Sequence, residues 1–239
     1  MMRGSVVVTG ASAGIGRATA MHLQSAGYHV VNIDRTGADC RDFANFTLDM
    51  CDHAALSQAL GEISDKFEVT GLVNNAGLAR TAALEDTDDA HLSATFDINL
   101  TAAAICAREL VPAMKRRGYG RIVNISSRSA LGRELRTAYA ASKGGLIAMT
   151  RVWALELGAA GITANCVAPG PVATGLFDQM NPDGSERRQK MVRDIPVGRM
   201  GAPADIANAV HFFMSPDSGF VNGQTLYVCG GLSAGVAPL

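Results

Sequence analysis

The sequence predicts an α/β fold: a doubly wound, parallel, seven-stranded sheet covered by helices, in a single domain. Three observations carry this expectation. Short β-branched runs alternate with longer, Ala-rich amphipathic segments. Runs such as VVV, GLVNN and ITANCVA are nearly all apolar, as strands buried on both faces are. The 239 residues are 48% hydrophobic and 18% charged, ample for one large core, and no linker, repeat or low-complexity stretch divides them.

Strands are expected over Ser5–Thr9, His29–Asp34, Asn45–Leu48, Gly71–Asn74, Arg121–Ser126, Ile162–Ala168 and Gln224–Val228. Helices are expected over roughly 14–26, 52–67, 87–117, 138–159 and 203–214. The connection from Arg35 to Ala44 is too short for a full covering helix. Residues 170–200, rich in Pro, Gly and Arg, read as one long irregular insertion, and 175–195 within it as a substrate loop or lid. A net charge of −1 gives no electrostatic basis for nucleic acid or an anionic membrane. No run of about eighteen apolar residues suggests a membrane span. The five cysteines (40, 51, 106, 166 and 229) form no ligand-spaced pair, so no metal is expected. A strand beginning at Ser5 leaves no room for a signal peptide, and reduced thiols in a cytoplasmic protein are the expectation.

The first strand runs into TGASAGIGRAT, which places Gly10, Gly14 and Gly16 before a helix. Glycines at this spacing let backbone turn sharply and approach a diphosphate, while the helix N-terminus at Ser12, Gly14 and Ile15 offers N–H donors. A tight strand-to-helix turn would use the same glycines. The strand before, the helix after, and Asp34 some 18 residues on favour a dinucleotide. A carboxylate at Asp34 can accept hydrogen bonds from the adenosine ribose. It would repel a 2′-phosphate by roughly 4 kcal/mol at about 4 Å and an effective dielectric of about 20. Ala13 offers no compensating charge, and Arg35 is the local counter-argument, so NAD is expected over NADP. Gly10-Ala-Ser12-Ala-Gly14 also matches the GxSxG elbow of hydrolases. That reading leaves Gly16 unexplained and supplies no base for Ser12.

Asp49 follows the third strand, where it can meet an adenine amino group or cap the next helix. Asn74-Asn75-Ala76-Gly77 closes the fourth strand with small and amide residues, suited to a passing cofactor or to a plain turn. Asn99 interrupts a helix, where its amide competes for backbone groups. It is either a tolerated exposure or a local kink that frees a carbonyl for water. In GRIVNISSRSALGRELRTAYAASKGG a strand and a polar turn precede a helix bearing Tyr139 and Lys143 on one face. An ammonium about 5 Å from a phenol is worth ~3 kcal/mol at a dielectric of about 20, roughly 2 pKa units, which suits proton transfer near neutral pH.

Taken together, TGxxxGxG, Asp34, NNAG, Asn99, the serine pair and YxxxK resemble the short-chain dehydrogenase/reductase family over residues 5 to about 232. The resemblance implies a Rossmann-type sheet and a catalytic tetrad of Asn99, Ser127, Tyr139 and Lys143. Tyr139 is then the general acid/base, Ser127 holds the substrate oxygen, Lys143 also binds the nicotinamide ribose, and Asn99 positions a relay water. It also assigns Pro169 and Gly170 to the loop under the nicotinamide, Val172 to its carboxamide and Thr174 to a nearby hydrogen bond. The family's usual interval from the tyrosine points to Ser126. Alternation along the strand favours Ser127 as the residue leaving it.

The substrate is expected to be a small alcohol or ketone. Arg128, Arg133, Arg136, Arg187, Arg188, Lys190 and Arg193 suggest an anionic one if they face the cleft, and a solvated surface if they do not. Phe177, Met180 and Met191 are suited to an apolar lid or to core packing. The stretch around Tyr139 looks most like the 3-oxoacyl reductase and secondary alcohol dehydrogenase branch, and Asp34 leans toward NAD-linked oxidation. Cys229 stands where that family commonly has Asp. A 3-oxoacyl thioester reductase and a non-catalytic dinucleotide sensor are the alternatives. Ala102–Ala104, Ala140, Ala141 and Ala148 on long helices suggest close packing in a homodimer or homotetramer.

Overall fold

The computed structural model describes residues 3–37 and 43–235. The expected seven strands are present: β1 (Ser5–Thr9), β2 (His29–Asp34), β3 (Ala44–Thr47), β4 (Val69–Asn74), β5 (Gly120–Ile125), β6 (Ile162–Pro169) and β7 (Thr225–Val228). They pair in the order β3-β2-β1-β4-β5-β6-β7, every neighbouring pair parallel. Two strands match the expected bounds, and the other five differ by one or two residues.

Successive side chains of a strand point to opposite faces, so Val6 and Val8 enter one core layer and Val7 the other. Helices α1 (Gly14–Ser25) and α8 (Pro203–Met214) close the first layer with Leu23, Ile206, Val210 and Phe213. On the opposite face α2 (His53–Lys66), α4 (Ala102–Arg117) and α5 (Thr137–Leu157) pack Leu56, Leu60, Leu110, Met114 and Leu157 against the sheet. The chain winds outward from β1 to β3, then returns to the other side of β1 for β4. Loops leaving the carboxyl ends of β1 and β4 therefore diverge, and a crevice opens between them.

Three expectations need correction. The helix expected over 87–117 is two: α3 (Asp89–Phe96) and α4, joined by a π-turn at Asp97–Thr101 that contains Asn99. The insertion at 170–200 is not irregular, for it holds α6 (Gly175–Met180) and α7 (Glu186–Asp194). Thr174 caps the first through Phe177 N, and Ser185 the second through Arg188 N. Arg188 clasps them together, reaching Asp178 at 2.5 Å, Asp183 at 2.9 Å and the Asn181 carbonyl at 3.2 Å. Finally, Ala102 and Ala103 do not form an outer face. Both are buried within the chain, whereas Ala141 and Ala148 are exposed. The connection after Asp34 cannot be compared with expectation, because residues 38–42, Cys40 among them, lie outside the described part. No helix among the described residues is long and apolar enough to cross a membrane.

Candidate active site

The crevice at the switch between β1 and β4 holds a cavity of about 680 Å3. Apart from Asn74, which is buried in β4, each residue from Gly10 to Gly77 that the sequence nominates for dinucleotide binding lines it, including Asp34, Asp49 and Asn75. Gly10 and Gly14 have φ of +72° and +53°, a left-handed backbone that glycine adopts without strain. A Cβ on Gly16 would lie 2.0 Å from the Gly10 carbonyl oxygen, so the start of α1 can approach the loop only with hydrogen at that position. Both oxygens of Asp34 accept one backbone donor, Ser12 N at 3.1 Å and Arg35 N at 2.7 Å. A carboxylate oxygen accepts more than one hydrogen bond, so capacity for ribose hydroxyls is left over. Asp49 accepts from Cys51 N at 3.0 Å, and the cap of α2 falls to Asp52 instead.

Ser12 is no nucleophile. Its hydroxyl donates to the Thr36 carbonyl at 2.6 Å and accepts from Asn32, and no histidine meets it. The hydrolase reading therefore fails.

The loops are held by side chains to which sequence pattern assigned no bracing role. Thr9 Oγ1 accepts from both Asn75 N and Ala76 N at 3.0 Å, and Asn75 Nδ2 donates to the Thr9 carbonyl at 2.9 Å. Asn32 accepts from Ala11 N at 3.0 Å. Farther along, Asn74 donates to Asn124 and Asn124 to Thr150, each at 2.8 Å, which ties β4 and β5 to α5. The available signal was a polar residue interrupting an otherwise apolar strand. Such a residue must find a partner when buried.

A second cavity of about 400 Å3 is lined by Ser127, Tyr139, Lys143, Pro169, Gly170 and Val172. Ile15, Asn75, Gly77 and Thr174 line both cavities, so the two form one continuous cleft. The serine pair separates cleanly. Both serines line the cavity, but Ser126 is buried and donates to the Lys143 carbonyl at 2.7 Å, whereas Ser127 leaves the strand beside Tyr139 and accepts from Ser129 N at 3.1 Å. Asn99 lines neither cavity. Its carboxamide pairs with both Leu78 N (2.8 Å) and Leu78 O (3.0 Å) and donates to Ser142 at 2.9 Å, so Asn99 is a buried brace rather than an exposed residue. A Cβ on Gly77 would meet Asn99 Oδ1 at 2.9 Å and Lys143 Nζ at 3.3 Å, which places these two groups side by side. Gly170 packs directly on Cys229, whose Cα would lie 2.7 Å from an added Cβ.

The electrostatics differ from expectation in one respect. Lys143 Nζ donates to the Ile125 carbonyl at 2.8 Å and lies 5.8 Å from the Tyr139 ring centroid. Burial raises Tyr139 above its usual value, and the opposing influences are the Ser127 hydrogen bond, Arg136 and Arg133. Lys143 itself is lowered by burial to about 8, partly offset by the Cys166 thiol. A lysine whose value falls from 10.5 to about 8 costs stability while it carries charge in the fold. The unfolded chain binds more protons between those values, so the cost fades as pH rises through them. The stability of the wild type relative to Lys143→Met is therefore expected to rise by about 2 kcal/mol between pH 7 and pH 10. Denaturant midpoints measure this, and a difference independent of pH contradicts it.

The cleft fits a dinucleotide: a glycine cradle with no room for Cβ, a carboxylate with spare acceptor capacity, and a second chamber carrying a phenol and an ammonium. Comparison with known proteins agrees. A family model described as enoyl-(acyl carrier protein) reductase matches residues 10–233. The (2S)-[(R)-hydroxy(phenyl)methyl]succinyl-CoA dehydrogenase subunit BbsD of Thauera aromatica is 37% identical, covering 95% of both chains. The 3-oxoacyl-[acyl-carrier-protein] reductase FabG of Rickettsia bellii is 36% identical over 95% of this chain and 96% of its own. Among solved structures, a gluconate 5-dehydrogenase from Burkholderia cenocepacia in complex with NADP and tartrate superposes with a TM-score of 0.92 at 31% identity, covering 99% of this chain and 97% of the other. This chain thus belongs to the short-chain dehydrogenase/reductase family, as an NAD(P)-dependent oxidoreductase.

Proposed function

We propose that the protein interconverts a secondary alcohol and its ketone, with NAD(H) preferred over NADP(H). The observation that carries this is the chamber shared by Ser127, Tyr139, Lys143 and the Pro169-Gly170 loop, continuous with the dinucleotide crevice. A bound nicotinamide supplies the hydride acceptor for oxidation and the donor for reduction. In oxidation, Tyr139 takes the hydroxyl proton as the carbinol hydrogen leaves with its electron pair, and in reduction it returns that proton. Ser127 holds the substrate oxygen by hydrogen bond through both directions. Lys143 binds the ribose hydroxyls and passes the proton onward to a water held at the widened π-turn around Asn99. Val172 and Thr174 orient the carboxamide. The carboxylate of Asp34 supports NAD over NADP.

A panel of secondary alcohols and hydroxy acids, scored at 340 nm with each cofactor, tests this reading. Alcohol-dependent NADH formation is the expected result, and it also excludes a non-catalytic sensor. The likeness to FabG and to the family model favours a second reading, reduction of a 3-oxoacyl thioester. Faster turnover of acetoacetyl thioester with NADPH than of any alcohol with NAD selects that alternative.

Residues 175–195 act as a lid in this proposal. Phe177 and Met191 line the reaction chamber, which supports the assignment, while the Met180 side chain lies outside the described part. Protection of this segment from protease by NAD checks it, and equal cleavage with and without NAD counts against it. The described cysteines are free thiols, in keeping with a cytoplasmic location. Ala141, Ala148, Val152 and Leu155 make an exposed small and apolar stripe along α5, with Leu155 86% exposed, suited to a homodimer or homotetramer. Light scattering at micromolar concentration is expected to return a multiple of 24.9 kDa, and a monomer contradicts the assembly.

A further inference from the structure

The charged side chains that line the reaction chamber are all basic. Arg133, Arg136 and Arg187 line it together with Tyr139 and Ser127, and no Asp or Glu is among its lining residues. None of the three arginines is in an ion pair among the described residues. Their neighbour Arg188 turns away from this role and is held by Asp178 and Asp183. The guanidinium of Arg136 lies 5.7 Å from the centroid of the Tyr139 ring. Arg133 stands close enough to Arg136, Arg128 and Arg187 that, after desolvation, their repulsion lowers its proton affinity.

The backbone that presents these side chains is itself unusual. Leu135, between Arg133 and Arg136, has φ of +59°, the one described non-glycine residue in the left-handed region. Such a conformation costs of order 1–3 kcal/mol and persists where the surroundings impose it. Here the Leu135 carbonyl accepts from Ala82 N at 3.2 Å, which ties the loop to the segment that follows β4. Gathering like charges without counter-ions is unfavourable until an anion arrives, and a guanidinium fork matches a carboxylate geometrically.

We infer that Arg133 and Arg136, assisted by Arg187, form an anion subsite beside Tyr139, and that the substrate is a hydroxy or keto acid whose carboxylate lies within a few carbon atoms of the reacting carbon. This rests on the alcohol-ketone reading for the identity of the reacting group, but not for the binding of the anion. The separation from Tyr139 favours a carboxylate on the substrate itself. The phosphates of a carrier thioester belong farther along a pantetheine arm.

Two arms test it. Ligand-observed NMR, with NAD present, follows binding of malonate and 3-hydroxybutyrate at low ionic strength to the wild type and to an Arg133→Gln/Arg136→Gln variant of unchanged melting temperature. Single Arg→Gln variants serve if the double variant melts lower. At least one acid is expected to bind the wild type at least ten times more tightly than the variant. Equal affinities, or no binding of either acid to the wild type, overturn the subsite. In the second arm the alcohol panel is supplied as free acids, methyl esters and coenzyme A thioesters. With each protein assayed at its own pH optimum, because the two arginines also act on Tyr139, KM for the acids is expected to rise at least tenfold in the variant while KM for the esters stays unchanged. Preference of the wild type for esters or thioesters over acids overturns the substrate class. Anion binding without any turnover leaves the subsite standing and sinks the alcohol-ketone reading instead.

Discussion

Replacing Tyr139 by Phe is expected to lower kcat by about 10^2–10^4-fold, the usual worth of a positioned acid–base group, while the dissociation constant for NAD stays within about twofold. The ring remains to pack against its neighbours, so the fold and the dinucleotide crevice keep their shape. What is lost is the hydroxyl that accepts and returns the proton. The pH dependence has a definite sign. Burial raises the phenol, so at neutral pH the cofactor-free protein carries it protonated. Oxidation, which needs the base, should speed up as pH rises into the alkaline range, and reduction, which needs the acid, should slow over the same range. Arg136 and Arg133 oppose the raised value. Their removal should therefore move both limbs to higher pH. Substantial turnover by the Phe variant, measured in a stopped-flow or steady-state assay, removes Tyr139 from its proposed role.

The second large effect is expected at Asp34. Its carboxylate faces the cavity at the end of β2 and is fixed there by Ser12 N and Arg35 N. A phosphate brought to about 4 Å meets roughly 4 kcal/mol of repulsion, close to a thousandfold in affinity. Arg17 and Arg35 also line the cavity and offset part of this. The expected preference for NAD is therefore about 10- to 1000-fold in kcat/KM. Asp34→Ser should erase most of it, mainly by improving KM for NADP. Equal efficiency of the unaltered enzyme with both cofactors contradicts the assignment.

Strands of an α/β sheet announce themselves strongly. VVV and ITANCVA are apolar throughout because both faces are covered, and the glycine turn after β1 has a steric need that Gly16 displays at 2.0 Å from the Gly10 carbonyl. Tyr139 and Lys143 were legible because helical periodicity puts them on one face. The segment 175–194 was harder. Helix α7, ERRQKMVRD, buries no residue fully, so it carries no apolar stripe, and its contacts with α6 come from Arg188 rather than from a hydrophobic face. The π-turn was visible only as an awkward Asn99. Its partners, Leu78 and Ser142, are 21 and 43 residues away, and no local pattern encodes them. Periodicity also misled. Small residues at Ala102 and Ala103 are compatible with an exposed packing face or with close approach to the sheet, and the structure takes the second course. The raised phenol was missed for a similar reason. Sequence spacing placed Lys143 near the ring, where it lies at 5.8 Å, but spacing shows neither the burial that raises Tyr139 nor the loop arginines that oppose it.

The most direct test follows the hydrogen itself. The best alcohol from the panel is labelled with deuterium at its carbinol carbon and turned over with NAD. Deuterium is expected on C4 of the nicotinamide, with none lost to water, and a primary isotope effect is expected on the chemical step. Unlabelled NADH, or no alcohol that yields NADH or NADPH at all, contradicts hydride transfer at the Tyr139 chamber.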